Sequence, residues 1–223
     1  MRYNRSQMWK AAAVPTDTRE EFAGLFSLYV WVLVVTAGIV VLLVLFALLR
    51  YRRGRGHSPS KRSEAKLVET LYAAALAGIV GLLVWKTFGT EDKVDALAAN
   101  PGLQVRVTAF QWGWRFTYPQ SGVSVVGDQN RPPVAALPTG TTVQFTVQSR
   151  DVIHAFWVPD LRFKKDAFPT FANTFDLAFE RPGTYVGRCA EFCGLQHAGM
   201  SFRLQAMSPD GFRAWLDQRS PTP

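Results

Sequence analysis

The segment Thr142-Val143-Gln144-Phe145-Thr146-Val147-Gln148 alternates apolar and polar side chains without interruption. Successive side chains of an extended strand point to opposite faces, so this pattern predicts a strand with one buried and one solvated face. The same alternation recurs further along the chain at two sets of apolar positions: Phe175, Leu177 and Phe179, and Phe202, Leu204 and Ala206. From about Gly102 onward the chain is therefore predicted to consist of half-buried strands.

Turn-forming residues separate these predicted strands at short intervals. They are Pro132-Pro133, Pro138-Thr139-Gly140, Pro169 and Pro182-Gly183. Such spacing is typical of a small antiparallel sandwich or barrel. One short helix is predicted near the end of the chain, over Pro209 to Arg219, with Ser208 as its N-cap.

The beginning of the β-region does not fit one regular strand. Val105, Val107 and Ala109 occupy odd positions, whereas an aromatic series occupies even positions: Phe110, Trp112, Trp114, Phe116 and Tyr118. One strand cannot bury both series on the same face. We therefore predict a bulge near Ala109 or an exposed aromatic face. Such a face would serve for docking, or for packing against a neighbouring subunit or against membrane helices, which two apolar runs earlier in the chain predict.

Two apolar runs precede the β-region. Residues 23–49 contain no charged side chain, and the run exceeds the roughly 20 apolar residues that an α-helix needs to cross a bilayer. A second run, 67–88, is uncharged in its centre, with Glu69 and Lys86 near its ends, where long side chains can reach the interface. We interpret the two runs as transmembrane helices, in preference to buried helices of a soluble protein.

The formal net charge of +8 is concentrated near these helices. The loop 50–66 between the two runs is basic, and short basic loops stay on the cytoplasmic side of a membrane. Both termini would then face the outer side of a bacterial-type plasma membrane. From Thr90 to Pro223 the chain has 13 basic and 12 acidic residues, so the basic excess indicates topology and not nucleic-acid binding.

The predicted organisation follows from these patterns. The N-terminal external segment, 1–22, lacks the small-residue cleavage site of a secretory signal peptide. The remaining parts are transmembrane helix 1 at 23–49, the cytoplasmic loop at 50–66, transmembrane helix 2 at 67–88, a linker at 89–101 and an exported domain at 102–223.

Both cysteines lie in one short segment, Cys189-Ala190-Glu191-Phe192-Cys193-Gly194-Leu195-Gln196-His197-Ala198-Gly199-Met200. Sulfur and imidazole side chains recur in it at intervals of four, four and three, between two predicted strands. One loop of this kind can wrap around a soft metal, and thiolate, imidazole and thioether ligands together suit copper in electron transfer. His154 is a candidate for a further ligand.

Three other roles compete for these residues. Two cysteines of an exported domain can form a disulfide, which leaves His154, His197 and Met200 without a role. Zinc could take both cysteines and both histidines, which leaves Met200 without a role. A single blue-copper site needs only one thiolate, so two thiolates, two imidazoles and a thioether favour two coppers bridged by sulfur.

The segment from Gln111 to Trp215 resembles the copper-binding domain of cytochrome c oxidase subunit II, and the two apolar runs match the helical hairpin of that family. The motif C-x-E-x-F-C-G-x-x-H-x-x-M carries the resemblance, together with three other features: Asp151-Val152-Ile153-His154-Ala155-Phe156-Trp157-Val158-Pro159, Lys165-Asp166-Ala167-Phe168-Pro169 and Asn173. The family implies a two-helix transmembrane hairpin followed by an all-β cupredoxin-like sandwich, which binds a copper pair outside the membrane.

The resemblance also implies roles for individual residues. Six of them would bind the two coppers through two bridging thiolates, two imidazoles, a thioether and one backbone carbonyl. They are Cys189, Cys193, His154, His197, Met200 and Glu191. The side chain of Glu191 would in addition bind a magnesium ion shared with subunit I.

Two further residues match functional positions of that family. Trp112, in Gln111-Trp112-Gly113-Trp114, would stand between a docked cytochrome c and the copper pair, where electrons enter. Glu69, at the cytoplasmic start of the second span, matches the mouth of a proton pathway into subunit I. An ionisable group at a membrane edge is costly unless it is solvated or functional, so a solvated boundary residue is the alternative.

The chain departs from the family pattern at two places. Gly113 stands where an aromatic residue is usual, which puts the docking surface in doubt. Thr170-Phe171 stands where Gly-Arg is common, which puts a local contact with subunit I in doubt.

The resemblance implies one subunit of a respiratory, proton-translocating cytochrome c oxidase. It would pass electrons from cytochrome c through the copper pair to haem in subunit I, where oxygen is reduced to water. Subunit III is a further expected partner. No haem is expected in this chain itself, which has no C-x-x-C-H motif.

The identity of the donor is a separate question. Six basic residues lie in or near the expected docking loops: Arg115, Arg131, Arg150, Arg162, Lys164 and Lys165. A nearly balanced exported domain offers little attraction for a soluble basic cytochrome c, which favours a membrane-tethered donor. The alternatives to an oxidase are a nitric oxide reductase subunit and a tethered copper chaperone, whereas quinol oxidase subunits lack the copper ligands.

Overall fold

The structure is a computed structural model that describes residues 18–52 and 64–219. It divides into two compact units, a pair of long helices and a β-domain. Most of the predicted N-terminal segment and the basic residues at 53, 55, 61 and 62 of the predicted cytoplasmic loop lie outside the described residues.

The helical unit is built from α1, Thr18–Arg50, and α2, Lys66–Val94. Both helices are long and apolar enough to cross a membrane, and no residue in the most apolar window of either is buried within the protein. Helices that are apolar all round and lack a protein cover require an apolar surrounding such as a bilayer. Within this unit a hydrogen bond of 2.8 Å joins Tyr29 Oη and Thr87 Oγ1.

Both helices extend beyond the apolar runs that predicted them. The first begins at Thr18 and not at Ala23, and the second continues to Val94 and not only to Phe88. The added turns contain charged and polar residues, which can remain helical outside the apolar part of a membrane. The connection between α2 and the β-domain is therefore shorter than the predicted linker.

The β-domain consists of two five-stranded sheets. Its strands are β1 Leu103–Phe110, β2 Gly113–Tyr118, β3 Val123–Asp128, β4 Val134–Pro138, β5 Thr142–Ser149, β6 His154–Val158, β7 Phe163–Ala167, β8 Asn173–Ala178, β9 Gly183–Cys189 and β10 Ser201–Met207. The first sheet has the order β3-β2-β1-β5-β8, and the second has the order β4-β10-β9-β6-β7. The predicted sandwich is confirmed.

The core of this domain lies between the two sheets. The alternating segment forms β5, which pairs parallel with β1 and antiparallel with β8, and its apolar residues are fully buried as predicted. The Phe145 ring of β5 stacks on Phe175 of β8 at 5.5 Å between centroids. In the second sheet Phe156 of β6 stacks on Phe202 of β10 at 4.7 Å, and Phe156 also meets Phe145 at 5.6 Å. Aromatic rings thus connect the two sheets.

The prediction for the beginning of the β-region was wrong. The chain has neither a bulge at Ala109 nor an exposed aromatic face, because it reverses direction at Gln111-Trp112. The strands β1 and β2 pair antiparallel, with Ala109 opposite Trp114 and Phe110 opposite Gly113. The reversal shifts the phase of the alternation, so the aromatic residues of β2 enter the same core as the valines of β1.

The predicted C-terminal helix is confirmed as α3, Pro209–Asp217. Ser208 Oγ accepts a hydrogen bond of 3.2 Å from the backbone N–H of Gly211, as an N-cap does. The helix ends at Asp217, before the predicted limit at Arg219.

Candidate metal centre

The two cysteine side chains meet where β9 ends. Cys189 is the last residue of β9, and Cys193 lies in the loop that leads to β10. Both thiols are free and buried, and their Sγ atoms are 3.8 Å apart. The sulfurs of a disulfide are about 2.05 Å apart, so this arrangement is not a disulfide.

Two further donor atoms adjoin the sulfur of Cys189. His154, the first residue of β6, places Nδ1 at 3.7 Å from this sulfur. The backbone carbonyl oxygen of Glu191 lies 3.3 Å from it. His154 is fully buried, since β6 lies next to β9 in the second sheet and turns the imidazole towards the end of that strand.

Two other donor atoms adjoin the sulfur of Cys193. His197 places Nδ1 at 3.5 Å from it, and the thioether sulfur of Met200 lies at 3.8 Å. A short 3-10 turn over His197–Gly199 brings both side chains back to the same sulfur before β10 begins. The structure thus gathers all six residues predicted to bind copper.

The chemistry of these donors distinguishes between the metals considered for the site. A closed zinc site uses four ligands, whereas this site has six donor groups, the two thiols and four further donors around them. Mixed thiolate, imidazole and thioether ligation suits copper. The residues therefore fit a pair of copper ions that share two thiolates better than a single zinc ion.

The other nitrogen of the His154 ring is held by Asp151. Nε2 lies 2.9 Å from Asp151 Oδ1, and an ionised carboxylate can only accept, so Nε2 carries the proton. The tautomer is thereby fixed with Nδ1 free to bind metal, an arrangement common to metal-binding histidines. Burial raises the pKa of Asp151, but hydrogen bonds from His154 and from backbone N–H groups outweigh it and hold that pKa below its usual value.

The two thiols differ in their tendency to ionise. Burial raises the pKa of Cys189, but a hydrogen bond with His154 and further hydrogen bonds outweigh it, so the pKa falls below its usual value. Burial and the neighbouring charge of Cys189 both raise the pKa of Cys193. The protein alone thus favours one thiolate, and the positive charge of a bound metal would favour the second.

The β1–β2 turn lies directly against this loop. The indole Nε1–H of Trp112 donates to the carbonyl oxygen of Cys193 at 3.1 Å, and Gln111 Nε2 donates to the same oxygen at 2.8 Å. Gly194 permits this approach, because it has a φ of +114° and a Cβ there would lie 3.2 Å from the Trp112 ring. The predicted site residue Trp112 is therefore connected to a cysteine of the centre.

Gln111 and Asp151 are the residues that the sequence analysis missed. The backbone N–H of Gln111 donates to Asp151 Oδ2 at 2.8 Å, so Asp151 ties the turn to His154. The spacing of Asp151 three residues before His154 was a usable signal, since metal-binding histidines commonly pair with a carboxylate. Nothing in the spacing indicated Gln111.

The side chain of Glu191 points away from the sulfurs. Its carboxylate is about half exposed, and Oε2 lies 3.7 Å from Lys164 Nζ, which also lies 3.5 Å from Asp166 Oδ1. A cation at Glu191 would compete with this ammonium group. The second proposed role of Glu191, in binding magnesium, thus concerns a carboxylate that already has a cationic neighbour.

Glu69 lies apart from the metal centre, in the first turn of α2. Its Oε1 accepts a hydrogen bond of 3.1 Å from the backbone N–H of Ala65, and its own N–H donates to the Ala65 carbonyl at 3.0 Å. The second bond is the ordinary i→i−4 bond of an α-helix, and the first satisfies a backbone N–H at the start of the helix, as a cap does. Glu69 therefore has a structural role besides the predicted role in proton uptake.

The Phe110 ring fills the space where a side chain at Gly113 would lie. A Cβ added at Gly113 would be 2.3 Å from the Gly127 carbonyl oxygen and 2.8 Å from Phe110 Cζ. An aromatic residue at position 113 therefore does not fit this hairpin. Phe110, the residue before the turn, supplies the aromatic ring at this place.

We expect Gly113→Ala to lower the free energy of unfolding of the β-domain by about 1–3 kcal/mol, the usual cost of overpacking. The backbone oxygen of Gly127 cannot move away without weakening the β2–β3 pairing, which places Gly113 opposite Asp128. Urea unfolding followed by tryptophan fluorescence measures the effect. An unchanged free energy of unfolding would contradict the packing described.

Thr170-Phe171, the second departure from the family pattern, lies after β7. The Phe171 ring stacks on Phe168 at 4.6 Å between centroids, and its exposed fraction is 50%. A half-exposed pair of rings replaces the charge that is common at this position of the family.

Comparison with known proteins gives a consistent result. Residues 103–207 match the family model described as cytochrome c oxidase subunit II, periplasmic domain. The chain is 31% identical to the probable cytochrome c oxidase subunit 2 of Streptomyces avermitilis, over 91% of this chain and 77% of the relative. It is 30% identical to cytochrome c oxidase subunit 2 of Corynebacterium glutamicum, over 90% and 73% respectively.

A solved structure supports the same relation. The crystal structure of the periplasmic domain of cytochrome oxidase subunit II of Bradyrhizobium japonicum matches with a TM-score of 0.51 and 26% identity. The match covers 55% of this chain and 96% of that domain, so it concerns the β-domain.

Proposed function

This chain belongs to the family of cytochrome c oxidase subunit 2, and from that premise we propose that it accepts electrons from cytochrome c at a binuclear copper centre. When bound, the copper pair would take up and release one electron at a time with little rearrangement of its mixed soft ligands. The protein supplies the ligands, their fixed orientation and the path by which electrons reach them.

One observation carries the proposal. Two thiol sulfurs lie 3.8 Å apart, and each has its own imidazole nitrogen, at 3.7 Å for Cys189 and 3.5 Å for Cys193. Each sulfur also has one weaker donor, the carbonyl oxygen of Glu191 or the thioether of Met200. A site for one ion would not need this duplication around a shared pair of sulfurs.

The role we assign to Trp112 is to carry the electron from the donor to the metal centre. Its ring is partly exposed, so a docked donor can reach it. Its indole N–H is bonded to the backbone of Cys193, so the ring is also coupled to a ligand. The side chain of Gln111 donates a hydrogen bond to the Cys193 carbonyl oxygen as well, and thereby fixes the β1–β2 turn against the ligand loop.

The chain is a membrane protein with its β-domain outside, as its two apolar helices and its match to a periplasmic domain indicate. We propose in addition that the N-terminus lies on the same side and that the loop between the helices is cytoplasmic. The complete enzyme would include subunit I, which holds haem and reduces oxygen to water, and subunit III.

Two acidic residues have proposed roles outside electron transfer. The Glu191 carboxylate would bind magnesium at the boundary with subunit I, in place of its contact with Lys164. Glu69 would take protons from the cytoplasm into a path in subunit I. Its exposure at the first turn of α2 supports access from solvent, and its capping hydrogen bond holds the side chain there.

The charges of the exported domain support a tethered donor over a soluble basic one. With 13 basic and 12 acidic residues from Thr90 onward, the domain provides little long-range attraction for a basic cytochrome c. A donor fixed in the same membrane or assembly would replace attraction by a high local concentration.

We expect residues 92–223, produced alone, to bind two copper ions per chain, because all six proposed ligands lie in this segment. The electron paramagnetic resonance spectrum of the oxidised domain should show hyperfine structure from one unpaired electron shared by two coppers. Metal analysis of the same sample gives the copper content. One zinc per chain with no copper would contradict the proposed function.

A further inference from the structure

An open pocket of about 550 Å³ lies beside the turn that carries Trp112. Its lining residues are Thr108, Phe110, Arg115, Val126 and Arg150. Phe110 directly precedes the turn, and Thr108 and Arg115 face each other in the β1–β2 pairing. The backbone N–H of Arg150 bonds to the Ala109 carbonyl at 2.9 Å, which fixes this residue beside the same strand.

This pocket contains two guanidinium groups, those of Arg115 and Arg150. Both side chains are exposed, and neither forms an ion pair with a carboxylate within residues 18–52 and 64–219. The carboxylates nearest in the chain have other partners. Asp151 accepts from His154 and from the backbone N–H of Gln111, and Asp128 Oδ1 accepts from the backbone N–H groups of Asn130 and Arg131.

The basic residues of β7, an edge strand of the other sheet, differ in this respect. Lys164 lies 3.5 Å from Asp166 Oδ1, and Lys165 lies 2.8 Å from Asp95 Oδ1. Their charges are largely compensated within the protein. Arg115 and Arg150 thus differ from these lysines, because they form no ion pair within the described residues.

An exposed apolar residue also lies in the ligand loop that contacts the turn. Leu195 has an exposed fraction of 91%, and it follows Gly194, where an added Cβ would lie 3.2 Å from the Trp112 ring. Aromatic and apolar residues at the centre of a contact with charges at its rim are typical of protein interfaces. Trp112 and Leu195 would form such a centre, with the arginine pocket at the rim.

We propose that the arginine pocket, lined by Arg115 and Arg150, binds carboxylate side chains on the docking face of the electron-donor protein. This inference rests on the proposed function and specifies its partner: the donor presents an acidic and not a lysine-rich surface. A guanidinium can pair with a carboxylate through two parallel hydrogen bonds, which also orients the donor. A ring of lysines on a donor would instead be repelled.

The test uses the complete oxidase that contains this chain and two forms of one soluble cytochrome c. One form is the native basic protein, and the other is succinylated, so that lysine ammonium groups become carboxylates. At low ionic strength we expect kcat/KM to be higher for the succinylated form. Raising the salt to physiological strength should reduce the difference, because exposed charges are then screened beyond about 8 Å.

The double variant Arg115→Glu/Arg150→Glu should reverse the preference. At low salt kcat/KM should fall about tenfold or more for the succinylated donor and rise for the native basic donor, as expected for electrostatic steering. The control is Arg181→Glu/Arg203→Glu, which makes the same charge change at exposed residues away from the turn. Copper content and turnover with a small phenylenediamine reductant should stay unchanged in both double variants.

The possible outcomes separate this inference from the proposed function. Equal preference of the unmodified oxidase for both donors, or an equal effect of the two double variants, would overturn the inference while cytochrome c oxidation itself persists. Absence of the copper spectrum and of any cytochrome oxidation would overturn the proposed function, and the inference with it.

Discussion

The spectrum of a binuclear copper centre should disappear when either Cys189 or Cys193 is replaced by serine, and each variant should keep at most about one copper per chain. Each sulfur adjoins one imidazole and one weaker donor, and the two sulfurs lie 3.8 Å apart, so they are placed to bridge the two groups of ligands. A serine hydroxyl is a far poorer bridge between soft metal ions than a thiolate. Removal of one sulfur therefore affects both metal positions.

Replacement of Met200, the proposed weak thioether ligand, should have a smaller effect than replacement of a cysteine. Met200 is 1% exposed, and leucine has a similar volume, so Met200→Leu should preserve the packing and most of the copper. The loss of a weak ligand should shift the reduction potential and slow electron transfer. Met207→Leu is the matched control, because Met207 ends β10 outside the ligand set, and it should change neither property.

Copper content, paramagnetic resonance spectra and circular dichroism of all four variants would be measured together. Dichroism distinguishes loss of metal from loss of fold. Equal loss of copper from the serine variants and from Met200→Leu would contradict the assigned difference between bridging and weak ligands.

The sheets and the ligand loop could be predicted because the residues that indicate each of them lie close together in the sequence. Alternation along β5 and β10 reports directly which face is buried, and both strands have the predicted phase. The ligand loop is likewise short, and its cysteines, histidine and methionine lie close in sequence. His154 is distant in sequence, and the family resemblance, not its spacing, assigned it to the centre.

The turn at Gln111-Trp112 could not be predicted because its residues carry no turn signal. Two-residue hairpin turns usually contain glycine or asparagine at their centre, whereas this one consists of a glutamine and a tryptophan. Tertiary contacts explain the exception, since both side chains bond to the Cys193 carbonyl. The turn is thus held by the ligand loop, a partner more than eighty residues away.

The unpaired basic residues could not be identified by counting charges, for a related reason. Lys164 and Lys165 were expected among the basic residues of the docking loops, but each has an acidic neighbour within the protein. A formal sum cannot show which charges are paired. The arginine pocket became recognisable only when the ion pairs were known.

The second large effect is expected for Trp112→Phe. The limiting rate at which reduced cytochrome c reduces the copper centre should fall by about tenfold or more, whereas the donor concentration for half-saturation should change little. Phenylalanine keeps an aromatic ring in the turn but cannot donate the hydrogen bond that joins Trp112 to Cys193. The coupling to a ligand is thereby removed, while most of the contact area remains.

Stopped-flow reduction of the complete oxidase at saturating donor separates these two quantities. Trp215→Phe makes the same chemical change in α3, where the ring stacks on Phe212, and it should leave the limiting rate unchanged. Gln111→Leu offers a second probe, because it removes the other hydrogen bond to the same carbonyl without altering the indole. If Gln111 only steadies the turn, its loss should lower the limiting rate less than the loss of Trp112. An unchanged rate for Trp112→Phe, or a weaker half-saturation alone, would place Trp112 in docking and outside the electron path.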